Sequence, residues 1–380
     1  MTFAFTETHE MIRETARKFA EERLAPDSIE RDEKELFPHE QIRELGELGF
    51  MGMMVPEEWG GSGLDTISYA IAIEEISRVD ASAGVIMSVN NSLVCYGINT
   101  SGSEAQKHRY LRDLATGKKL GAFALSEPEA GSDASNQRTT AVRDGDAYVL
   151  NGTKNWITNG STADLVLVMA ATDKSKGPKG ISTFIVEKGS PGFSVAKKER
   201  KLGIRSSDTV SLSFQDCRVP AANRIGNEGE GFAFAMRTLE GGRIGIAAQA
   251  LGIAQACLDA SLRYAKERTA FDRPIAELQA IQFKLADMAT TTEAARALIL
   301  KACTMKDAGE QYGPAAAMAK LLASRCAVQS ALEAIQIHGG YGYVREYLVE
   351  RYLRDAKITE IYEGTSEIQR MVIARSLLKS

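Results

Sequence analysis

The apolar positions of this chain change their period twice. From residue 1 to about 120 they recur at helical spacing. Met11, Ile12, Thr15, Ala16 and Phe19 fall three and four apart, and Thr6 or Thr8 stands where an N-cap belongs, with acidic residues in the turn that follows. A second helix is predicted over Pro38–Leu48, and further ones over Ser68–Arg78 and Glu104–Thr116. Between them, Pro56-Glu57-Glu58-Trp59-Gly60-Gly61-Ser62-Gly63 carries too many glycines for a regular element and reads as a loop.

From Gly121 to about Arg224 the pattern shortens. The turn pairs Asp144-Gly145, Asn151-Gly152 and Asn159-Gly160 separate short apolar runs, among them Ala147–Leu150, Leu165–Ala170 and Ile181–Val186. Val210, Leu212 and Phe214 alternate with polar partners, as a half-buried strand requires. After Gly231 the helical period returns over Phe232–Leu239, Arg243–Arg268, Leu278–Ala308, Pro314–His338 and Ser366–Leu378. The expected fold class is therefore α+β and multidomain: a helical domain over 1–120, a middle antiparallel β domain over 121–230, and a helical bundle over 231–380. No alternating βαβ pattern is present, which argues against a doubly wound sheet.

Composition narrows the class. The 380 residues are 44% hydrophobic and 25% charged, with 46 basic against 50 acidic side chains and a formal charge of −4. That balance argues against sequence-independent nucleic-acid binding, which needs a basic footprint. The five cysteines (Cys95, Cys217, Cys257, Cys303, Cys326) are scattered, form no C-x-x-C pair, and read as reduced thiols. The start, MTFAFTETHE, lacks the basic and apolar regions of a signal peptide, and the longest clearly apolar run, near Leu165–Ala171, is too short to span a membrane. A cytoplasmic protein with no membrane span is expected.

Several chemistries are excluded by motif. There is no P-loop and no G-x-S-x-G elbow, and Gly226, Gly229 and Gly231 are in the wrong order for a dinucleotide fingerprint. The four histidines (His9, His39, His108, His338) are far apart and outside any metal-ligand spacing, so no metal site is expected.

Three segments do carry chemistry: Leu125-Ser126-Glu127-Pro128-Glu129-Ala130-Gly131-Ser132-Asp133, then Asn155-Trp156-Ile157-Thr158-Asn159-Gly160, then Arg354-Asp355-Ala356-Lys357 followed by Ile361-Tyr362-Glu363-Gly364-Thr365-Ser366-Glu367-Ile368-Gln369. In this order and spacing, over essentially the whole chain, they resemble the acyl-CoA dehydrogenase family of flavoenzymes. The resemblance implies a helical domain, a β domain and a four-helix bundle with FAD between them, usually in a homotetramer whose FAD sites are shared across a subunit interface.

Within Tyr362-Glu363-Gly364-Thr365, Glu363 resembles the family's catalytic base. A lone Glu in a loop is ordinarily a solvated carboxylate. Taking a proton alpha to a thioester instead needs a carboxylate whose pKa an apolar site has raised toward neutrality. Gly364 removes a side chain and lets a substrate approach. In isovaleryl- and long-chain-type relatives the base lies just before an Arg at the start of a bundle helix. Here that place, before Arg243, is Gly242, and Glu240 is two residues earlier still, so the resemblance points to Glu363 and away from those two subfamilies.

The remaining assignments follow from the same resemblance. Phe123, Leu125 and Ser126 match a flavin-contacting strand and turn, and Ser132 reaches toward the substrate's pantetheine arm. Trp156 and Thr158 match the second flavin contact, where the alternative for Trp156 is a core aromatic. Arg268 and Phe271 match an FAD-binding stretch of a neighbouring subunit, a guanidinium suiting the pyrophosphate. This chain has Asp272 where the family usually has Gly. Gln279, Gln336, Gly339 and Gly340 match further FAD contacts, the glycines alternatively being a plain helix C-cap. Thr365 and Glu367 complete that set. Arg243 and Glu240 match a CoA-facing stretch, and Gln249 is assigned to the acyl pocket.

The expected reaction is FAD-dependent dehydrogenation of a short-chain acyl-CoA to a trans-2-enoyl-CoA. Glu363 takes the alpha proton, and electrons go on to an electron-transfer flavoprotein. Arg243–Gly252 looks like short-chain and short/branched-chain members, so butyryl-CoA leads, with 2-methylbutyryl and isobutyryl types next. The rivals are an acyl-CoA oxidase or flavin monooxygenase on the same fold, and a non-catalytic DNA-binding relative, whose basic surface domain this acidic chain lacks.

Overall fold

The computed structural model describes residues 5–379; the first four residues of the start read above as free of a signal segment lie outside them. The N-terminal part is helical. Helix α1 (Glu7–Phe19) opens with a reciprocal cap. The Thr6 hydroxyl accepts from the His9 N–H, and the His9 ring accepts from the Thr6 N–H. Helices α2 (Ser28–Lys34), α3 (His39–Glu47) and α4 (Thr66–Val79) follow. Next comes an almost entirely buried rod, α5 (Ala81–Ser88), a π-helical stretch (Val89–Cys95) and α6 (Tyr96–Ser101). The apolar period gave no warning of this rod, because it is buried nearly all round, its polar residues Asn90 and Asn91 included. Helices α7 (Glu104–Gln106) and α8 (Arg112–Ala115), joined by a π-helical turn, complete this part.

Ten strands follow, eight of them in one sheet: β1 (Gly121–Ala124), β2 (Thr140–Asp144), β3 (Ala147–Thr158), β4 (Leu165–Ala171), β5 (Ile181–Glu187), β6 (Phe193–Lys198), β7 (Thr209–Pro220) and β8 (Arg224–Ile225). The order is β6-β7-β3-β2-β4-β5-β8, with β1 beside β4. Neighbours are mainly antiparallel, but β1 pairs with β4 in parallel and β2 meets β4 in parallel at Thr140 and Ala171. Asp144-Gly145 does turn the β2–β3 hairpin. Asn151-Gly152, by contrast, is no turn. It lies inside β3 at a register shift against β7, where a side chain on Gly152 would come within 2.4 Å of Thr139. A close approach of two segments of the chain left the same glycine signal as a hairpin.

The C-terminal part contains α9 (Gly231–Glu267), α10 (Gln279–Asp307), α11 (Gly313–His338), α12 (Val349–Thr359) and α13 (Ser366–Leu377). The two segments expected on either side of Gly241-Gly242 are one 37-residue helix, α9. Its glycines lie against other elements, so the lost propensity is offset by close packing. The small hairpin of β9 (Thr269–Ala270) and β10 (Arg273–Pro274) precedes α10. Phe271 and Asp272 form its turn with φ of 54° and 62°. Both central residues are left-handed, which explains how Asp can replace the usual Gly there.

Two stretches, Ala81–Ser101 and Gly231–Glu267, are long and apolar enough to cross a membrane, contrary to the reading of the sequence. Of their most apolar windows, 94% and 83% are buried inside the protein, where they form the central rods of the helical parts. All five cysteines are free and buried.

Candidate active site

Glu363 stands in the turn between α12 and α13. The turn is left-handed at two successive residues, Glu363 (φ 50°) and Gly364 (φ 94°). A non-glycine residue in this region is held only where its surroundings fix it, and here they do. The Gly364 carbonyl accepts from Lys320 Nζ at 2.7 Å and from Gln369 Nε2 at 2.8 Å. Thr365 caps α13 by accepting from the Ile368 N–H. Gly364 has a second requirement beyond its φ: a Cβ there would lie 2.7 Å from Gln369 Nε2.

The Glu363 residue is partly exposed, but its Oε2 is sealed from solvent and has no hydrogen-bond partner. Burial pushes its carboxyl up to about 7, against the opposing pull of Lys320 and Arg243. Those two cations are themselves buried. Desolvation brings Lys320 down to about 8 and lowers Arg243, whose Nε lacks a partner. Helix α9 provides the facing wall. A Cβ on Gly242 would lie 2.1 Å from Glu363 Oε2, and one on Gly245 would lie 2.4 Å from both the Ser88 and Tyr69 hydroxyl oxygens. Glu240, one residue before the glycine pair, lies against Gly313 at the start of α11.

Gln249 is fully buried on the same helix, and both ends of its amide are engaged. The NH2 donates to the Ala81 carbonyl at 2.8 Å, and the oxygen accepts from the Tyr362 hydroxyl. It thus anchors the residue that precedes Glu363.

The first two sequence segments meet on the sheet. The Asn155 N–H donates to the Ser126 carbonyl at 2.9 Å. Lys154, fully buried, donates from Nζ to the Leu125 carbonyl at 3.0 Å, to Glu127 at 2.7 Å and to Gln137 at 3.0 Å. Glu127 also accepts from the N–H groups of Arg138 and Thr139. This clamp fixes the loop that carries Ser126 and the exposed Ser132. Trp156 has φ of 63° at a register shift of β3 and is 63% exposed, so it is not a core aromatic. Thr158 is half-buried at the end of the strand. Phe123 and Leu125 are buried, and Phe123 stacks on Phe234 of α9 at 6.4 Å.

A third group lies on the bundle. Arg268, His338, Gly339, Gly340 and Tyr341 line an open groove of about 740 Å³, with Arg268 over the Tyr341 ring. No atom lies within 4 Å of where a Cβ would stand on Gly339 or Gly340. Gln279, Gln336 and Glu367 are exposed, and Phe271 is 85% exposed. Among the described residues, no group of three or more His, Cys, Asp or Glu gathers as metal ligands would.

Sequence reasoning missed Lys320 and Lys154. The available signal for Lys320 was a charge on the apolar stripe of α11, between Ala316 and Ala323. Arg354-Asp355 in the third segment proves to be a link between domains. Arg354 pairs with Asp32 at 2.7 Å, and Asp355 accepts from the Ile204 N–H.

Family models cover the chain in three parts: "Acyl-CoA dehydrogenase, N-terminal domain" over 6–118, "middle domain" over 122–217 and "C-terminal domain" over 229–378. The chain is 55% identical over 374 residues to the short-chain specific acyl-CoA dehydrogenase, mitochondrial, of Mus musculus, covering 98% of this chain and 91% of that one. Butyryl-CoA dehydrogenase from Megasphaera elsdenii superposes with a TM-score of 0.98 at 49% identity, over the full length of both. A chain solved in work on the electron transferring flavoprotein of Acidaminococcus fermentans superposes at 0.99 with 52% identity, also over both full lengths. This chain belongs to the acyl-CoA dehydrogenase family, whose members depend on FAD.

Proposed function

We propose that this protein oxidises a short-chain acyl-CoA of the butyryl type to the trans-2-enoyl-CoA, with Glu363 as the base. The observation that carries the reading is the state of that carboxylate. It is sealed, unpartnered and raised to about 7, which suits a general base working near neutral pH. The short chain length rests on the 55% identical short-chain relative and the 49% identical butyryl-CoA enzyme.

The residues present fit FAD. Trp156 offers an exposed aromatic face two residues before the half-buried Thr158, and Gly339 and Gly340 offer open backbone in the groove that Arg268 also lines. Phe123, Leu125, Ser126, Trp156 and Thr158 would hold the ring end. Arg268, Phe271, Gln279, Gln336, Gly339, Gly340, Thr365 and Glu367 would hold the dinucleotide end. When bound, FAD supplies the acceptor for the hydride from the substrate's beta carbon. Glu363 takes the alpha proton onto its carboxylate, and its own N–H donates to the thioester oxygen as charge develops there. Arg243, Glu240 and Ser132 would orient the CoA, and Gly364 would leave room for the thioester.

The family resemblance supports a homotetramer in which each FAD site draws on a neighbouring subunit. Electrons would leave to an electron-transfer flavoprotein, as the likeness to the Acidaminococcus chain suggests, and the reaction would serve fatty acid beta-oxidation.

The test is an anaerobic titration of the yellow holoenzyme with butyryl-CoA, followed at the flavin's visible band. Bleaching that is lost in Glu363→Gln supports the reading. A yellow enzyme unmoved by butyryl-CoA overturns the chain length, and stoichiometric peroxide in air points to an oxidase instead.

A further inference from the structure

Lys320 is the least expected charge in the molecule. It is fully buried in the apolar stripe of α11, and among the described residues no carboxylate lies within salt-bridge distance of it. A buried ammonium without an ion pair is costly and demands another explanation. Its Nζ donates at 2.7 Å to the carbonyl of Gly364, the residue immediately after Glu363. One cation therefore fixes the left-handed turn that carries the base and also places a positive charge beside the base's carboxylate.

We propose that Lys320 is a positioning residue for the reaction: through its bond to the Gly364 carbonyl it holds the Glu363 turn and sets a buried positive charge next to the base. The inference rests on the reading of Glu363 as the base. Burial alone drives that carboxyl toward its neutral form, which cannot accept a proton. Two cations oppose this. Arg243 comes from α9 and has an unpartnered Nε, whereas Lys320 comes from α11 with its Nζ engaged by the protein itself. Tyr362 and Tyr69 face the same carboxylate and are held neutral by burial. Lys320 in turn is faced by Glu363, Arg243, Glu360 and Glu367. Of these, Arg243 belongs to the stretch assigned to CoA, which leaves Lys320 as the cation dedicated to the base.

The experiment is the pH profile of kcat/KM for butyryl-CoA in the FAD-loaded enzyme, which reports ionisations of the free enzyme. Three variants are compared with the parent. Lys320→Met removes both the bond and the charge. Lys320→Gln keeps a donor for the Gly364 carbonyl but no charge. Lys320→Arg keeps the charge. The proposal expects the acid limb to move up by about one pH unit or more in Lys320→Met and Lys320→Gln, and to stay in place in Lys320→Arg. Below the limb this corresponds to a loss of about tenfold per unit. A uniform loss at every pH, with the limb unmoved in Lys320→Gln, would make Lys320 merely structural and overturn the proposal. If Lys320→Met fails to retain FAD, Lys320→Gln decides alone. Glu363→Gln run alongside separates the two readings: full turnover in it defeats the base assignment, whereas an unmoved limb in Lys320→Gln defeats only the role of Lys320.

Discussion

The Glu363 carboxylate occupies the space that a side chain on Gly242 would need. A Cβ built on Gly242 falls 2.1 Å from Glu363 Oε2 and 3.1 Å from its Cδ. The missing side chain on α9 is thus the other half of the base, since it opens the slot into which the α12–α13 turn inserts its carboxylate. Position 242 is also where the resemblance places the base of the isovaleryl- and long-chain-type relatives. In this fold the two positions converge on one point in space.

Gly242→Ala should therefore displace the carboxylate without removing it. Misplacement of a reacting group by about 1 Å can cost on the order of a hundredfold in rate. We expect kcat for butyryl-CoA to fall by about that factor while the visible flavin spectrum is kept. Unchanged kcat in Gly242→Ala would mean the carboxylate has another place to work from.

Glu363 also links stability to pH. Its folded pKa, about 7, lies above the ordinary carboxylate value of 4.5, so the folded state holds a proton that the unfolded state releases between those values. Stability therefore falls as pH rises through this window, and the full cost, on the order of 3 kcal/mol, is present above about pH 7. Glu363→Gln removes it. The variant should melt higher than the parent at pH 8 and match it near pH 4.5, while losing about a hundredfold or more in turnover. A melting difference independent of pH would contradict this.

Lys154 and Glu127 form a buried pair that holds the loop bearing Ser126 and Ser132 to β3. Lys154→Ala leaves a buried carboxylate uncompensated and should cost about 3–5 kcal/mol. Lys154→Met with Glu127→Gln removes both charges and should cost less than Lys154→Ala alone. Chemical denaturation, with FAD retention recorded in parallel, reads both. A double variant as weak as the single one would show that the clamp's charge is not what matters.

The Tyr362 hydroxyl donates to the buried oxygen of Gln249. Tyr362→Phe strands that oxygen, a penalty of about 1–3 kcal/mol. Adding Gln249→Met should recover part of it, because the shape is kept and the stranded oxygen removed. Thermal melting of the single and double variants tests the coupling. Simple additivity of the two substitutions would deny it.

Much of the architecture was legible from period alone. Thr6 does cap α1, Asp144-Gly145 does turn a hairpin, and α10 and α11 begin and end within a residue of expectation. The failures share one cause. Gly152 in β3, Gly242 in α9 and the buried rod from Ala81 to Ser101 are governed by what lies against them in space. A glycine needed for close approach reads locally as a turn or a break, and an element buried on every side has no polar face to give it a period.

By itself the sequence determined the order of helical and sheet parts, the motifs that place this chain in its family, and Glu363 as the residue to watch. Those properties are local in the chain: periodicity, turn chemistry and short motifs. Only the tertiary structure decided that Gly242 makes room for the base, that Lys320 reaches the carbonyl beside it, and that Lys154 joins two of the motifs. Each of those pairings joins residues far apart in the chain. Their energies come from burial, which depends on packing from all sides, so the neighbouring sequence can flag a residue such as Lys320 as buried without showing which partner it meets.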